Sequence, residues 1–127
     1  MYNEKIKQLQ NRIAEIRAEL TQLGELRPGS ISKQYNVCGK PNCRCKDPDN
    51  PRKHGPYFQL SYTWRGRSTS QFVQEERLEE VQEQLRNYKI FRKLTQEWVD
   101  VSIEIEKLRR ERKKKGKDGK RTRKSSR

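Results

Sequence analysis

The sequence predicts an α+β protein in which a small three-stranded β module is inserted between an N-terminal coiled-coil helix and a long C-terminal helix. Three observations carry that expectation. Apolar residues recur at heptad spacing towards both ends of the chain and alternate with polar ones in the middle. Hydrophobic residues make up only 29% of 127, too few for one large core. The boundaries read as an N-terminal helix over 1–26, a Cys/His-bearing β module over 27–74, a long helix over 75–112 and a disordered basic tail over 113–127.

The first helix rests on Ile6, Leu9, Ile13, Ile16, Leu20 and Leu23, which step by three and four residues as a strict heptad seam. Gly24 and then Arg27-Pro28-Gly29 stop it. So narrow a seam needs a partner helix rather than a globular core. The second helical pattern runs through Leu78, Val81, Leu85 and Tyr88, then Phe91, Leu94, Trp98, Val101, Ile105 and Leu108. The step from Tyr88 to Phe91 is three where four is due, a stammer that overwinds a coiled coil locally. Acids gather at its start and bases at its finish, as the helix macrodipole favours. At 1.5 Å per residue this helix is roughly 60 Å long, too long to stand unpaired in water.

Three heptads in the first helix match three in the second, so an antiparallel hairpin within one chain is one arrangement. A homodimer through the same seams is the other. Ile90, Val99 and Ile103 fall off the second seam and widen its stripe, which tilts the expectation towards a homodimer or a multi-helix bundle.

The middle reads as β structure. Residues 57–63 alternate apolar and polar, Trp64-Arg65-Gly66 turns, and residues 67–73 alternate back, a hairpin. Residues 30–37, with Ile31, Tyr35 and Val37 at alternate positions, supply a third strand that leads into Cys38.

Cys38, Cys43, Cys45 and His54 are the chain's only cysteines and only histidine, clustered as C-x4-C-x-C-x8-H. Three thiolates and one imidazole form a closed, structural ligand set for Zn2+. Gly39 and Pro41 permit the tight turn that brings Cys38 and Cys43 together, and Asp47-Pro48-Asp49-Asn50-Pro51 makes a rigid excursion back to His54. A short sheet ending in such a knuckle is zinc-ribbon-like. If His54 is only a turn residue, Asp47 or Asp49 completes the shell. A disulfide plus a spare thiol is disfavoured by the odd count and by the strain of a Cys43–Cys45 bridge. An iron–sulfur cluster calls for four thiolates.

Charge is concentrated in two places. The formal net charge is +14, from 31 Lys and Arg against 17 Asp and Glu. Residues 109–127 alone carry +10 and residues 27–72 carry +7, so the helices outside them are net acidic. Those basic segments are where a polyanion is gripped. The candidate nucleic-acid contacts are Lys40, Arg44, Arg52, Lys53, Arg65 and Arg67 in the module, with Arg112, Lys113, Lys114, Lys115, Arg121 and Arg123 in the tail. Tyr57, Phe58, Tyr62 and Trp64 are interleaved with this charge. They read either as a platform for base stacking or, more simply, as a small core under the sheet.

The run Pro28-Gly29-Ser30-Ile31-Ser32, then Cys38-Gly39-Lys40-Pro41-Asn42-Cys43-Arg44-Cys45, then His54-Gly55-Pro56-Tyr57, followed by a hairpin and a helix carrying Asn87-Tyr88 and Phe91-Arg92, resembles an uncharacterised family of short bacterial and archaeal proteins. Its members tend to occur beside transposase-like genes. The resemblance covers about residues 27–110 and leaves the first helix and the basic tail outside. It implies that the four ligands act as one unit in a context of mobile DNA, and it implies no mechanism.

The expected function is therefore a zinc-stabilised nucleic-acid-binding accessory protein, with DNA ahead of RNA as its ligand. The alternative is a coiled-coil assembly module that dimerises or docks on a transposase-like partner, with zinc purely structural. An enzyme is not expected: no paired carboxylates sit in an apolar setting, and no second histidine and no Gly-rich phosphate loop are present. No apolar run is long enough for a membrane span, and residues 1–10 are charged and polar rather than leader-like, so the expected compartment is the reducing cytoplasm.

Overall fold

The computed structural model describes residues 2–116. Along the chain lie α1 (Tyr2–Gln22), β1 (Ser30–Asn36), a 3-10 turn (Arg44–Lys46), β2 (His54–Trp64), β3 (Arg67–Val73), a second 3-10 turn (Glu75–Arg77) and α2 (Leu78–Gly116). The strands form one antiparallel sheet in the order β1-β2-β3. The architecture is α+β, with this sheet between an N-terminal helix and a long C-terminal one. Packing divides the described residues into two units, 2–23 with 91–116, and 24–90.

The first unit is a pair of helical arms. Ile6, Ile105 and Leu108 are buried together, with Tyr2, Leu9, Ile13 and Val101 packed on them. Ile16 is fully buried, and Leu94 is buried. Arg12 donates from Nε and Nη2 to the two carboxylate oxygens of Glu97, at 2.6 and 2.8 Å, and from Nη1 to Glu15 at 3.0 Å. The Glu97 carboxylate raises the Arg12 pKa, and Arg12 in turn lowers that of Glu97. Arg112 donates to Asn3 Oδ1. Pairing Asn3 with Arg112, Ile6 with Ile105, and Arg12 with Glu97 means that sequence number rises on one arm as it falls on the other. The arms are therefore antiparallel within one chain, the first of the two arrangements the heptads allowed. Of the seam residues, Leu9, Ile13, Leu20, Leu23, Trp98 and Val101 are half-buried and Phe91 is 38% exposed.

The second unit packs the sheet on the first turns of α2. Leu60, Val81 and Leu85 are buried together, with Ile31, Tyr62 and Val73 against them. Ile31 stands opposite Leu60, so the apolar positions of neighbouring strands share one face. The hairpin turn is Arg65-Gly66, with φ of 53° and 78°, as a two-residue type I′ turn requires. The segment joining α1 to β1 is tied to α2. Arg27 N–H donates to Gln84 C=O at 3.2 Å, and Asn87 Nδ2 donates to Glu25 C=O at 2.8 Å. β2 begins at His54, three residues before the alternation at 57–63, because pairing with β1 extends to Asn36 opposite His54. Among the described residues no helix is long and apolar enough to cross a membrane.

Candidate metal centre

Strand pairing brings the ends of the Cys/His segment together. Asn36 pairs with His54, and the register slips between Gln34 and Asn36, where Gly55 and Pro56 of β2 oppose the single residue Tyr35 of β1. Cys38 therefore leaves β1 beside the first residue of β2. Gly55 makes the approach possible. Its φ is 132°, and a Cβ there would lie 2.7 Å from the Gln34 carbonyl oxygen.

Backbone hydrogen bonds shape the knuckle between the strands. Cys43 N–H donates to Lys40 C=O at 3.4 Å, and Lys46 N–H to Cys43 C=O at 3.0 Å. The 3-10 turn at 44–46, which the sequence did not announce, places Cys45 inward at 3% exposure. Arg52 N–H donates to Arg44 C=O at 3.0 Å and closes the Asp-Pro excursion. Asp47 Oδ1 accepts from Asp49 N–H at 2.9 Å, an Asx turn that commits this carboxylate to the loop.

The result is a four-donor cluster. The ligand atoms of Cys38, Cys43, Cys45 and His54 all lie within 4.8 Å of one another. Cys38 Sγ is 3.6 Å from Cys45 Sγ, and Cys43 Sγ is 3.1 Å from His54 Nε2. Around a tetrahedral ion with metal–sulfur bonds of about 2.3 Å and metal–nitrogen bonds of about 2.0 Å, sulfurs sit roughly 3.8 Å apart and sulfur and nitrogen roughly 3.5 Å apart. The Cys38–Cys45 and Cys43–His54 pairs lie close to those separations, the widest pair must draw in from up to 4.8 Å, and the three cysteines are free thiols. His54, and not an aspartate, is the fourth member of the cluster.

The thiols are electrostatically unequal. The backbone N–H of Cys45, then the Cys38 and Cys45 side chains and His54, favour the Cys43 thiolate and lower its pKa to about 6. Burial pushes the Cys45 thiol up. Cys38 N–H points at Cys45 Sγ from 3.4 Å, a donor suited to a thiolate there. On one side the cluster opens into a cavity of about 350 Å³ lined by Cys38, Cys43, His54, Lys40 and Tyr57.

The basic candidates of the module lie on its surface. Lys40, Arg44, Arg52, Lys53, Arg65 and Arg67 are all exposed, and none forms an ion pair among the described residues. Arg112, Lys113 and Lys114 are exposed at the end of α2 in the other unit. Lys115 belongs to α2, but its side chain is outside the described residues, as are Arg121 and Arg123. The aromatics of β2 divide between faces of the sheet. By alternation Phe58, Tyr62 and Trp64 share the face of Leu60, where Tyr62 packs into the core, Phe58 is half-buried and Trp64 is exposed at the hairpin end, whereas Tyr57 is exposed on the opposite face. Phe72 was missed: it is 67% exposed and meets Tyr57 edge-on, with ring centroids 6.4 Å apart. The alternation that turned Val73 inward was the signal that Phe72 faces out.

Residues 4–83 match the model of a family described as a domain of unknown function, DUF6788, so the chain belongs to that family. The match holds the sheet and all four cluster residues and ends in the first turns of α2. It also takes in most of α1, so the first helix is part of the family region, which corrects the expectation that it lies outside. No curated protein and no solved structure matches the chain.

Proposed function

We propose that this member of DUF6788 is a zinc-stabilised nucleic-acid-binding protein whose metal centre is a zinc-ribbon-like knuckle on a three-stranded sheet. The observation that carries the reading is the convergence of Cys38, Cys43, Cys45 and His54 within 4.8 Å in a loop with almost no apolar core of its own. Three sulfurs and one imidazole nitrogen are a donor set that favours zinc over the hard cations. Bound zinc supplies a tetrahedral cross-link and leaves no protein-free coordination position for catalysis.

Three features support nucleic acid as the ligand. The exposed cations of the module have no acidic partners among the described residues, so they are available to phosphates. Arg65 occupies the left-handed region at the hairpin tip, where asparagine fits with less strain. The turn thus presents a cation at the exposed tip of the hairpin. Tyr57, Trp64 and Phe72 offer exposed rings on the same sheet. The resemblance to proteins found beside transposase-like genes puts DNA ahead of RNA.

The test is metal content of protein purified without added metal, read with binding to duplex DNA, single-stranded DNA and RNA across a salt series. One zinc per chain, with binding that survives physiological salt and persists after residues 113–127 are removed, is the expected result. Zinc with binding that vanishes on that truncation would leave only a sticky tail and overturn the reading.

A further inference from the structure

The helical unit carries an apolar stripe that the arm pairing does not use. Leu94, Val101, Ile105 and Leu108 turn towards α1, where Leu94, Ile105 and Leu108 are buried. By the 3.6-residue turn of a helix, Thr95, Val99, Ser102 and Ile103 lie on the far side. Val99 is 57% and Ile103 51% exposed, and together with Trp98 they line a groove of about 570 Å³ whose far end is formed by Glu106, Lys107 and Arg110. The Thr95 hydroxyl is satisfied within its own helix, donating to Phe91 C=O at 2.9 Å, so the groove holds no unmet hydroxyl at that position.

The charges that bracket this stripe identify its occupant. Arg92 lies seven residues before Val99 and Glu106 seven residues after it, so all three share one face of α2. Arg92 forms no ion pair among the described residues. Glu106 is held by Arg109 on the next turn, which leaves a carboxylate with capacity for a second donor. A pattern with a cation and an anion equidistant from an apolar centre is complementary to itself reversed. A parallel pairing in register sets Arg92 on Arg92 and Glu106 on Glu106, whereas an antiparallel pairing sets each Arg92 on a Glu106.

We propose that a second copy of this chain docks on this stripe, antiparallel and two-fold symmetric, with Val99 on the axis and Arg92 of each copy against Glu106 of the other. Trp98 and Ile103 flank the axis, with Ile103 of one copy over Thr95 of the other. The arm pair of each chain stays intact, because the stripe lies across α2 from α1, so the product is a bundle of four helices. This inference does not depend on the metal or on nucleic acid, since every residue it uses lies within the helical unit.

Sedimentation of the full, zinc-loaded chain from about 1 to about 200 µM tests it, the range in which an interface of modest area associates. Wild type is expected to dimerise. Arg92→Glu alone and Glu106→Arg alone should each weaken dimerisation by more than about ten-fold, because two-fold symmetry turns two attractions into two repulsions. The combined R92E/E106R chain should dimerise again. Val99→Glu, which brings two carboxylates together on the axis, should give a monomer with unchanged helix content by circular dichroism. A wild-type chain still monomeric at the top of that range overturns the proposal. So does a dimer that both single charge reversals leave intact, or one that the double reversal fails to restore.

Discussion

The helical arms and the knuckle with its hairpin tip differ in how they hold their charge. Two arginines of the arms are answered by acids one or two turns away or on the other arm: Arg12 by Glu97, Glu15 and Glu19, and Arg109 by Glu106. On the knuckle and the hairpin tip, Lys40, Arg44, Arg52, Lys53, Arg65 and Arg67 have no acidic partner among the described residues. The helical arms also take their order from side-chain packing, with Ile16 fully buried. The knuckle buries one side chain, Cys45, and gathers four donor side chains within 4.8 Å of one another. The arms are thus ordered by packing within the chain, whereas the knuckle brings together side chains close enough to hold a metal ion and leaves its cations exposed.

Four experiments put that contrast at risk. The largest effect is expected from Cys43→Ser, which removes a ligand and with it metal-linked folding free energy on the order of 10 kcal/mol. Hydrogen exchange should then accelerate across residues 38–54 while the amides around Ile16 and Ile105 keep their protection. Equal loss in both units would show that they are not independent. Next comes Ile16→Ala. A fully buried isoleucine costs about 2–5 kcal/mol on truncation, so the melting temperature should fall while zinc content stays at one per chain.

Smaller in energy, but more telling of the ligand, is the quadruple change of Arg44, Arg52, Arg65 and Arg67 to Gln. For every phosphate that one of these arginines neutralises, the slope of log K against log salt should fall by about 0.9 on duplex DNA. An unchanged slope would place binding in the tail alone. The smallest effect is expected from Arg12→Ala. That ion pair is about one-third exposed, and pairs of this kind contribute less than about 1 kcal/mol after solvent screening. A larger loss would mean that the charges, and not the seam, register the arms.

The unequal thiols add a measurement on metal-stripped protein. At pH 7 Cys43, with its pKa near 6, is mostly thiolate, whereas Cys45 is buried and raised. Mass spectrometry should find iodoacetamide on Cys43 well before Cys45. The sign follows from the direction of each shift: acidification through pH 6 protonates Cys43 and should remove its lead.

Much of this was legible residue by residue. The heptad steps from Ile6 to Leu23 located α1, and the alternation over 57–73 located the hairpin, because helix and strand each impose a period that the core enforces. The Cys/His cluster was legible because no other cysteine or histidine competes for the roles. The start of β2 at His54 was not, since it follows from β1 lying alongside, and the 3-10 turn at 44–46, closed by backbone hydrogen bonds within the knuckle, carried no periodic signal. The type I′ turn was obscured by Arg65, which stands where an Asn would have announced it.

Element types, two arms with matching seams, the ligand set and the two basic segments are all written in the amino-acid order. Each is a pattern within one stretch of chain, set by period, residue chemistry or charge. Three things had to wait for the folded chain: that the arms pair within one molecule, that Tyr62 is packed under the sheet rather than presented as a platform, and that His54 and not an aspartate joins the thiols. Each of those depends on which distant residues meet, and a heptad seam or a free carboxylate is equally content with several partners until the chain's path allows it one.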